Sequence, residues 1–369
     1  MPCRRSQGSV FSRGVSLLLP HTVLLVAALS TFIGCALLVG TQRWHARWTI
    51  DGFQGVQKFH TAPTPRIAGI AIYLGMWLAN GVAPASVAQL LEPMLFAGIP
   101  AFAFGVLEDQ TKQVGIRERL LATFASGLLA WWVTGISLDG VDVWAFDDLL
   151  AWLPISVFFT AFAICGMANA VNIIDGFNGL ASGVVIIALA AMGVCAYAEG
   201  DVPLAQVCMV LGAVVAGFAL VNFPMGKIFL GDGGAYFVGF CLAWVGILLA
   251  MRNPGISPWA SMLACAYPVY EVLFSMLRRH CRQRSPGHAD RLHMHSLIKL
   301  RVVRQRFAAV SPVWNNSAVS PLVWLMALVP AVLAVVFRHN LPGLILGFAA
   351  CAGGYVLCYR RLVRFGWFR

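Results

Sequence analysis

The sequence carries little charge. Only 11% of its 369 residues are Asp, Glu, Lys or Arg, too few to solvate the surface of a water-soluble chain of this size. Its ten cysteines include no CxxC pair and no paired spacing in polar loops. That excludes a disulfide framework and a zinc ribbon, and the cysteines read as small buried apolar residues. There is no separate polar domain, no low-complexity segment and no visible internal repeat, so residues 1–369 read as one integral membrane domain. What the chain has instead is apolar length: 59% of its residues are hydrophobic and the mean hydropathy is +0.78. A spanning helix needs roughly 20 apolar residues. Such runs fall near 17–40, 67–84, 92–107, 119–136, 149–168, 180–198, 202–222, 234–251, 258–277, 318–338 and 342–359. The expected fold is all-α and polytopic, with about eleven transmembrane helices.

Loops at 41–66, 108–119, 223–233 and 278–317, with the tail after 359, hold 21 of the 26 lysines and arginines. Basic residues favour the cytoplasmic side, which puts the N-terminus outside and the C-terminus in the cytoplasm. Arg4, Arg5 and Arg13 oppose this assignment, since they precede the first span. That opening has the basic head of a signal peptide, but its apolar run is long enough to span and no cleavage site follows. The net charge of +11 sits in juxtamembrane loops with no soluble domain to present it. Nucleic acid is therefore not an expected partner, whereas membrane lipid headgroups and phosphorylated substrates are. The acids on the basic face (Asp51, Glu108, Asp109, Glu118, Asp175, Asp232 and Asp290) mostly adjoin Gly, Asn, His or basic residues. A candidate site therefore faces the cytosol.

Several stretches carry chemistry. In "GVLEDQTKQVGIRERL" the adjacent carboxylates Glu108 and Asp109 repel each other, and a divalent cation, a bound proton or the basic neighbours Lys112, Arg117 and Arg119 would relieve the repulsion. In "NAVNIIDGFNGLASG" the spacing of three aligns Asn169, Asn172 and Asp175 on one helical face. Gly176 and Gly179 then admit a phosphate close to backbone N–H groups, unless the asparagines merely join two helices. In "GKIFLGDGGAYFVGF" Asp232 opens a span beside Lys227; it is either a helix cap or the holder of a phosphate's counter-cation, for which Mg²⁺ fits best. The segment "RRHCRQRSPGHADRLHMHSLIK" offers Asp290, His293 and His295. Two histidines spaced by two do not share a helix face, and no second cluster completes a zinc site, so donors to a sugar or diphosphate are the better assignment. "VQKFHTAPTPRIAGI" sets Lys58, His60 and Arg66 near paired prolines, as phosphate ligands or as topology anchors. Glu271, within a span, is a functional group or a partner for a nearby arginine.

In this order and on one membrane face, "KFHTAPTPR", Glu108–Asp109, "NAVNIIDGFNGL", "FLGDGG" and "DRLHMH" resemble the polyprenyl-phosphate N-acetylhexosamine-1-phosphate transferases of glycosyltransferase family 4, over about residues 58–295. The resemblance implies transfer of N-acetylhexosamine 1-phosphate from a UDP-sugar to undecaprenyl phosphate, with release of UMP, at a bacterial inner membrane. It implies Mg²⁺, with Mn²⁺ able to substitute. Asp232 and Asp175 are then the metal ligands, and Asp109, Glu108, Asp175, His293 and His295 the catalytic set. Lys58, His60, Arg66, Lys112, Asn172, Lys227 and Asp290 are assigned to substrate, and a homodimer is admitted. Three departures are informative. Glu108 stands where the family has Asp, Asn178 stands where many members have a second Asp, and the His-x-His differs from the longer run of the peptidoglycan transferases. The last favours the branch that starts O-antigen or other surface polysaccharides over the peptidoglycan phospho-N-acetylmuramoyl-pentapeptide transferase. An ion-coupled transporter is the rival of another class; it would place its polar residues near mid-membrane in two related halves.

Overall fold

A computed structural model describes residues 20–51, 64–281, 292–306 and 312–364. The expected site residues Lys58, His60 and Asp290 lie outside these ranges. The described residues begin with α1 (His21–Gly40), α2 (Gln42–Thr49) and two short strands, β1 (Ile50–Asp51) and β2 (Thr64–Pro65), paired antiparallel. Next come α3 (Ala68–Val82), α4 (Ala85–Ala97), α5 (Ile99–Thr111), α6 (Ile116–Thr134) and α7 (Trp144–Leu150). The middle of the chain is α8 (Leu153–Ile174), α9 (Leu180–Ala198), α10 (Val202–Asn222) and α11 (Gly231–Arg252). After it follow α12 (Pro258–Ala264), α13 (Ala266–Cys281), α14 (Met294–Ile298), a π-turn at Lys299–Val303, α15 (Arg304–Arg306) and α16 (Pro312–Ser317). The last two helices are α17 (Val319–Val336) and α18 (Leu341–Val363).

The protein is an all-α, multi-pass membrane protein. Among the described residues, seven helices are long and apolar enough to cross a bilayer, or nine when two bent pairs each count as one crossing. Over their described residues the eleven expected segments fall mainly on helices, but the run at 149–168 crosses from the end of α7 into α8, and two more are broken by a bend. The run at 92–107 is α4 and α5, bent by 48°, and the run at 258–277 is α12 and α13, bent by 81°. Proline explains both breaks, because it has no N–H to continue the helical ladder. Pro100 cannot donate to the carbonyl of Phe96 near the end of α4, and Pro268 cannot donate to that of Ala264, the last residue of α12. Of the remaining two segments, α3 has only 15 residues, and α6 opens on Arg117, Glu118 and Arg119.

Helix α11 is the axis of the fold and is buried along nearly its whole length. Its neighbours α3, α5 and α8 approach through glycine. A methyl group on Gly69 would lie 2.3 Å from the Gly234 nitrogen, one on Gly105 would lie 2.5 Å from the Gly233 Cα, and one on Gly239 would lie 2.6 Å from the Ala168 Cα. In lipid, where apolar burial does not drive helices together, such backbone proximity supplies the dispersion contact that does. The consequence is positional, since three helices converge on the N-terminal half of α11.

A strap runs across the N-terminal turn of α11. Phe229 N–H donates to Pro65 O at 2.8 Å, while Ala68 and Gly69 N–H donate to Phe229 O and Leu230 O at 3.2 and 3.1 Å. Arg66 N–H donates to Thr49 O at 2.9 Å. Residues 64–69 are thereby held between the end of α2 and the start of α11.

Candidate active site

Asp232 is the second residue of α11, directly after Gly231, whose φ is +76°. That left-handed conformation favours glycine, and space demands it too: a Cβ there would lie 2.5 Å from Asp109 Oδ2 and 2.6 Å from Arg66 O. The buried Asp232 carboxylate is ringed by donors from three other segments. Arg66 Nη2 lies 2.9 Å from Oδ1, Arg119 Nη1 2.8 Å from Oδ2, and Asn172 Nδ2 3.1 Å from Oδ1. Tyr236, one helical turn further along α11, donates to Asn172 Oδ1 at 3.4 Å and fixes which way that amide faces.

Asp109 stands beside this group near the end of α5. Its Oδ2 accepts the Gly233 N–H at 3.0 Å, so it caps the exposed N-terminal donors of α11. Its buried Oδ1 accepts no hydrogen bond; Arg66 Nε is 3.7 Å away and Lys112 Nζ 4.0 Å. Lys112 has φ +57° at the C-cap of α5, a turn that brings its ammonium back over Asp109.

Asp175 closes the C-terminus of α8, three residues after Asn172. No protein donor among the described residues bonds its carboxylate. Burial pushes its pKa up to about 7; Arg66 opposes that shift, and the charges of Asp232 and Asp109 add to it. Among the described residues no three Asp, Glu, His or Cys already stand as a metal cage. The oxygens of Asp109, Asp175 and Asp232 nonetheless fit a hard divalent ion that takes one or two carboxylates and completes its shell with substrate phosphate. The orphaned Asp109 Oδ1 and the unbonded Asp175 carboxylate are the specific signs of that fit.

The histidines form a second group. His293 precedes α14 and His295 lies in its first turn, and their rings stack in parallel with centroids 5.3 Å apart. Both rest on Glu271, which is 1% exposed. His293 Nδ1 is 3.0 Å from Glu271 Oε2, while Met294 N–H and Tyr267 O–H donate to Oε1 at 2.9 and 3.3 Å. Burial pushes the His295 pKa down to about 4, with Glu271 opposing and His293 adding to the shift, so this imidazole is neutral near pH 7. A methyl group on Gly176 would lie 3.5 Å from His295 Nε2. The His pair thus adjoins the turn that carries Asp175.

The fold therefore brings together Arg66, Asp109, Lys112, Asn172 and Asp232, with Asp175 alongside and His293 and His295 next to it. It sets apart two other expected residues. Glu108 turns away from Asp109, its Oε2 accepting the Val114 N–H at 2.9 Å and closing the loop after α5. Lys227 is exposed on the turn before α11. Asn169 does join helices, donating to Thr123 Oγ1 and to Cys165 O at 3.3 and 2.8 Å. Asn178 is also structural: its amide donates to Pro224 O and Ser317 Oγ, both at 3.1 Å. Arg119, Tyr236 and the bond from Glu271 to histidine were not assigned from sequence. Arg119 had a visible signal, a basic residue one turn into α6 on the face of the acidic motifs. Tyr236 had a weaker one, its i+4 spacing from Asp232.

Fold and site together define a polytopic membrane protein whose polar centre gathers carboxylates and guanidinium groups at one end of a buried central helix, as an enzyme acting on phosphorylated substrates requires. The profile described as Glycosyl transferase family 4 matches residues 92–250, which include Asp109, Arg119, Asn172, Asp175 and Asp232. Among curated proteins, the undecaprenyl-phosphate alpha-N-acetylglucosaminyl 1-phosphate transferase of Escherichia coli (strain K12) is 27% identical over 248 residues, 66% of this chain and 67% of that protein. The Salmonella typhi protein of the same name is 25% identical over 247 residues, again 66% and 67%. The probable undecaprenyl-phosphate N-acetylglucosaminyl 1-phosphate transferase of Bacillus subtilis (strain 168) is 27% identical over 247 residues, 65% and 66%. Over residues 92–250 the chain is thus similar to glycosyl transferase family 4.

Proposed function

We infer that this protein transfers N-acetylglucosamine 1-phosphate from UDP-N-acetylglucosamine to undecaprenyl phosphate and releases UMP. The observation that carries the reading is the convergence of Arg66, Arg119 and Asn172 on Asp232, with Asp109 bonded to the next residue of the same helix turn. Phosphoryl transfer between two anions asks little of a protein beyond positioning and charge neutralisation. Two guanidinium groups here are anchored by a carboxylate yet stand at the edge of the cluster, 20–27% exposed along their side chains. They can orient a diphosphate or the lipid phosphate without burying an unpaired charge. Asp109, whose Oδ1 is unbonded, is placed to take the proton of the attacking lipid phosphate or to act as the nucleophile itself. Neutral His295, with His293, would hydrogen-bond the sugar or diphosphate rather than supply charge.

Mg²⁺, with Mn²⁺ able to replace it, is the cofactor this donor set suits; Asp232 and Asp175 would hold it, and it would neutralise charge on the diphosphate. The same reading has eleven crossings, with α3 and α6 joining the nine, the N-terminus outside and the C-terminus in the cytoplasm. The site then faces the cytoplasm from a bacterial inner membrane, where UDP-sugars are available. The product starts O-antigen or another surface polysaccharide. The test is formation of the undecaprenyl-diphosphate-linked sugar from labelled UDP-N-acetylglucosamine in vesicles, first with chelator and then with Mg²⁺ or Mn²⁺ restored. Product formation that ignores the chelator removes the metal from the reading. No product from any UDP-N-acetylhexosamine removes the reading itself.

A further inference from the structure

Helix α2 has no counterpart in the site, yet it is built to a pattern. Its sequence QRWHARWT exposes Arg43, Trp44, Arg47 and Trp48, four residues on one face. Trp44 and Trp48 are 82% and 60% exposed. The opposite face is fastened to the protein: the His45 ring bonds Thr49 Oγ1 at 2.7 Å and Leu38 O, in α1, at 2.9 Å. Only Thr41 separates α2 from the end of the spanning helix α1. Connectivity therefore fixes α2 at the membrane boundary, and the His45 bonds fix which face it turns outward.

Tryptophan and arginine alternating on one exposed face match a layer that is apolar below and anionic above, which is the headgroup region of a bilayer. We propose that the Arg43–Trp44–Arg47–Trp48 face binds anionic phospholipid headgroups and that this binding is transmitted to the active site through Arg66. The connection is short. Thr49, the last residue of α2, accepts the Arg66 N–H at 2.9 Å, β1 pairs with β2, and the Arg66 side chain reaches Asp232 and Asp109. Lipid on α2 thus steadies the strand that presents the phosphate-binding guanidinium. Each arginine near an anionic surface strengthens binding by roughly fivefold.

The experiment is hydrogen exchange on the full-length protein in nanodiscs of phosphatidylcholine alone or of phosphatidylcholine mixed with phosphatidylglycerol. It reads α2 and Arg66 directly and does not depend on the proposed reaction. Wild-type amides of α2 and of Arg66 are expected to exchange several-fold more slowly in the anionic discs. R43Q/R47Q abolishes that difference while leaving exchange in neutral discs unchanged, and W44A/W48A speeds α2 exchange in both. Equal protection in the two lipids, or a difference that survives in R43Q/R47Q, overturns the proposal. So does protection that arises only when undecaprenyl phosphate is added, because the surface would then serve the lipid substrate rather than the bulk lipid.

Discussion

Substituting Glu271 separates what the buried carboxylate does for the fold from what it does for the histidines. In Glu271→Gln the amide oxygen can still accept the Met294 N–H and the Tyr267 O–H, which lie 2.9 and 3.3 Å from Oε1 in the wild type. The amide nitrogen then replaces Oε2, 3.0 Å from His293 Nδ1. Two donors cannot face each other, so His293 must shift its proton from Nδ1 to Nε2, which reverses the atom it offers to substrate. Shape is preserved and both Oε1 donors keep an acceptor, so stability should change by less than about 1.5 kcal/mol. Activity should fall by about 10–100-fold, the value of one lost hydrogen bond of about 1.5–3 kcal/mol to a charged substrate group. In Glu271→Ala, Met294 N–H and His293 Nδ1 lose their buried partner together, at a cost of roughly 3–5 kcal/mol. Differential scanning fluorimetry in detergent, paired with UMP release, gives the two readouts. The glutamine variant should melt like the wild type and turn over poorly, while the alanine variant should fail in both. A glutamine variant within twofold of wild-type turnover would refute the claim that Glu271 sets the histidine tautomer.

Gly233→Ala should reduce the yield of folded protein, because its methyl would lie 2.6 Å from Val106 Cγ2 and 3.0 Å from the Val106 nitrogen; overpacking of this kind costs about 1–3 kcal/mol, and thermal unfolding checks it. Asn178→Asp should destabilise by about 1–3 kcal/mol, since a carboxylate would face Pro224 O where the amide now donates; an unchanged melting temperature would show that the position accepts an acid. Arg119→Lys should lower kcat/KM by about 10–100-fold, the value of one charge-assisted hydrogen bond of about 1.5–3 kcal/mol, and a wild-type value would remove Arg119 from the site. Asp175 is held up to about 7 from an ordinary value of 3.8, so the folded state binds more protons than the unfolded one between those limits. Its favourable contribution is complete below about pH 4 and is lost as pH rises through about 7; melting curves across that window should slope downward for wild type and flatten in Asp175→Asn.

Much of the fold was legible because spanning helices announce themselves by length and hydropathy. The expected segments at 180–198 and 202–222 are α9 and α10 to the residue. Hydropathy is blind to direction, however, and the bends at Gly98 and Cys265 passed as single runs although Pro100 and Pro268 were in plain view. In the site, Asp109, Asn172, Asp175 and Asp232 were legible because acids and amides are costly at a membrane edge and stand out there. Arg119 was hidden for the opposite reason. Arginine is common on the cytoplasmic side as an anchor, and what distinguishes this one is a contact with a residue 113 positions away. The histidine spacing misled in part: i and i+2 diverge within a helix, but His293 precedes α14 in extended backbone, which lets the two rings stack. Glu108 read as a twin of Asp109 because adjacency in sequence hides that consecutive helical side chains point about 100° apart.

The central claim is that the Asp232 cluster performs sugar-phosphate transfer, and single-turnover UMP release tests it most directly. Wild-type protein and Asp232→Asn would be compared in the same vesicles, with UDP-N-acetylglucosamine and undecaprenyl phosphate supplied. Asparagine keeps the volume but removes the charge that anchors Arg66 and Arg119. UMP should appear with the wild type when the lipid phosphate is present, and be undetectable with the variant over the same interval. Equal UMP release from the two proteins would contradict the account.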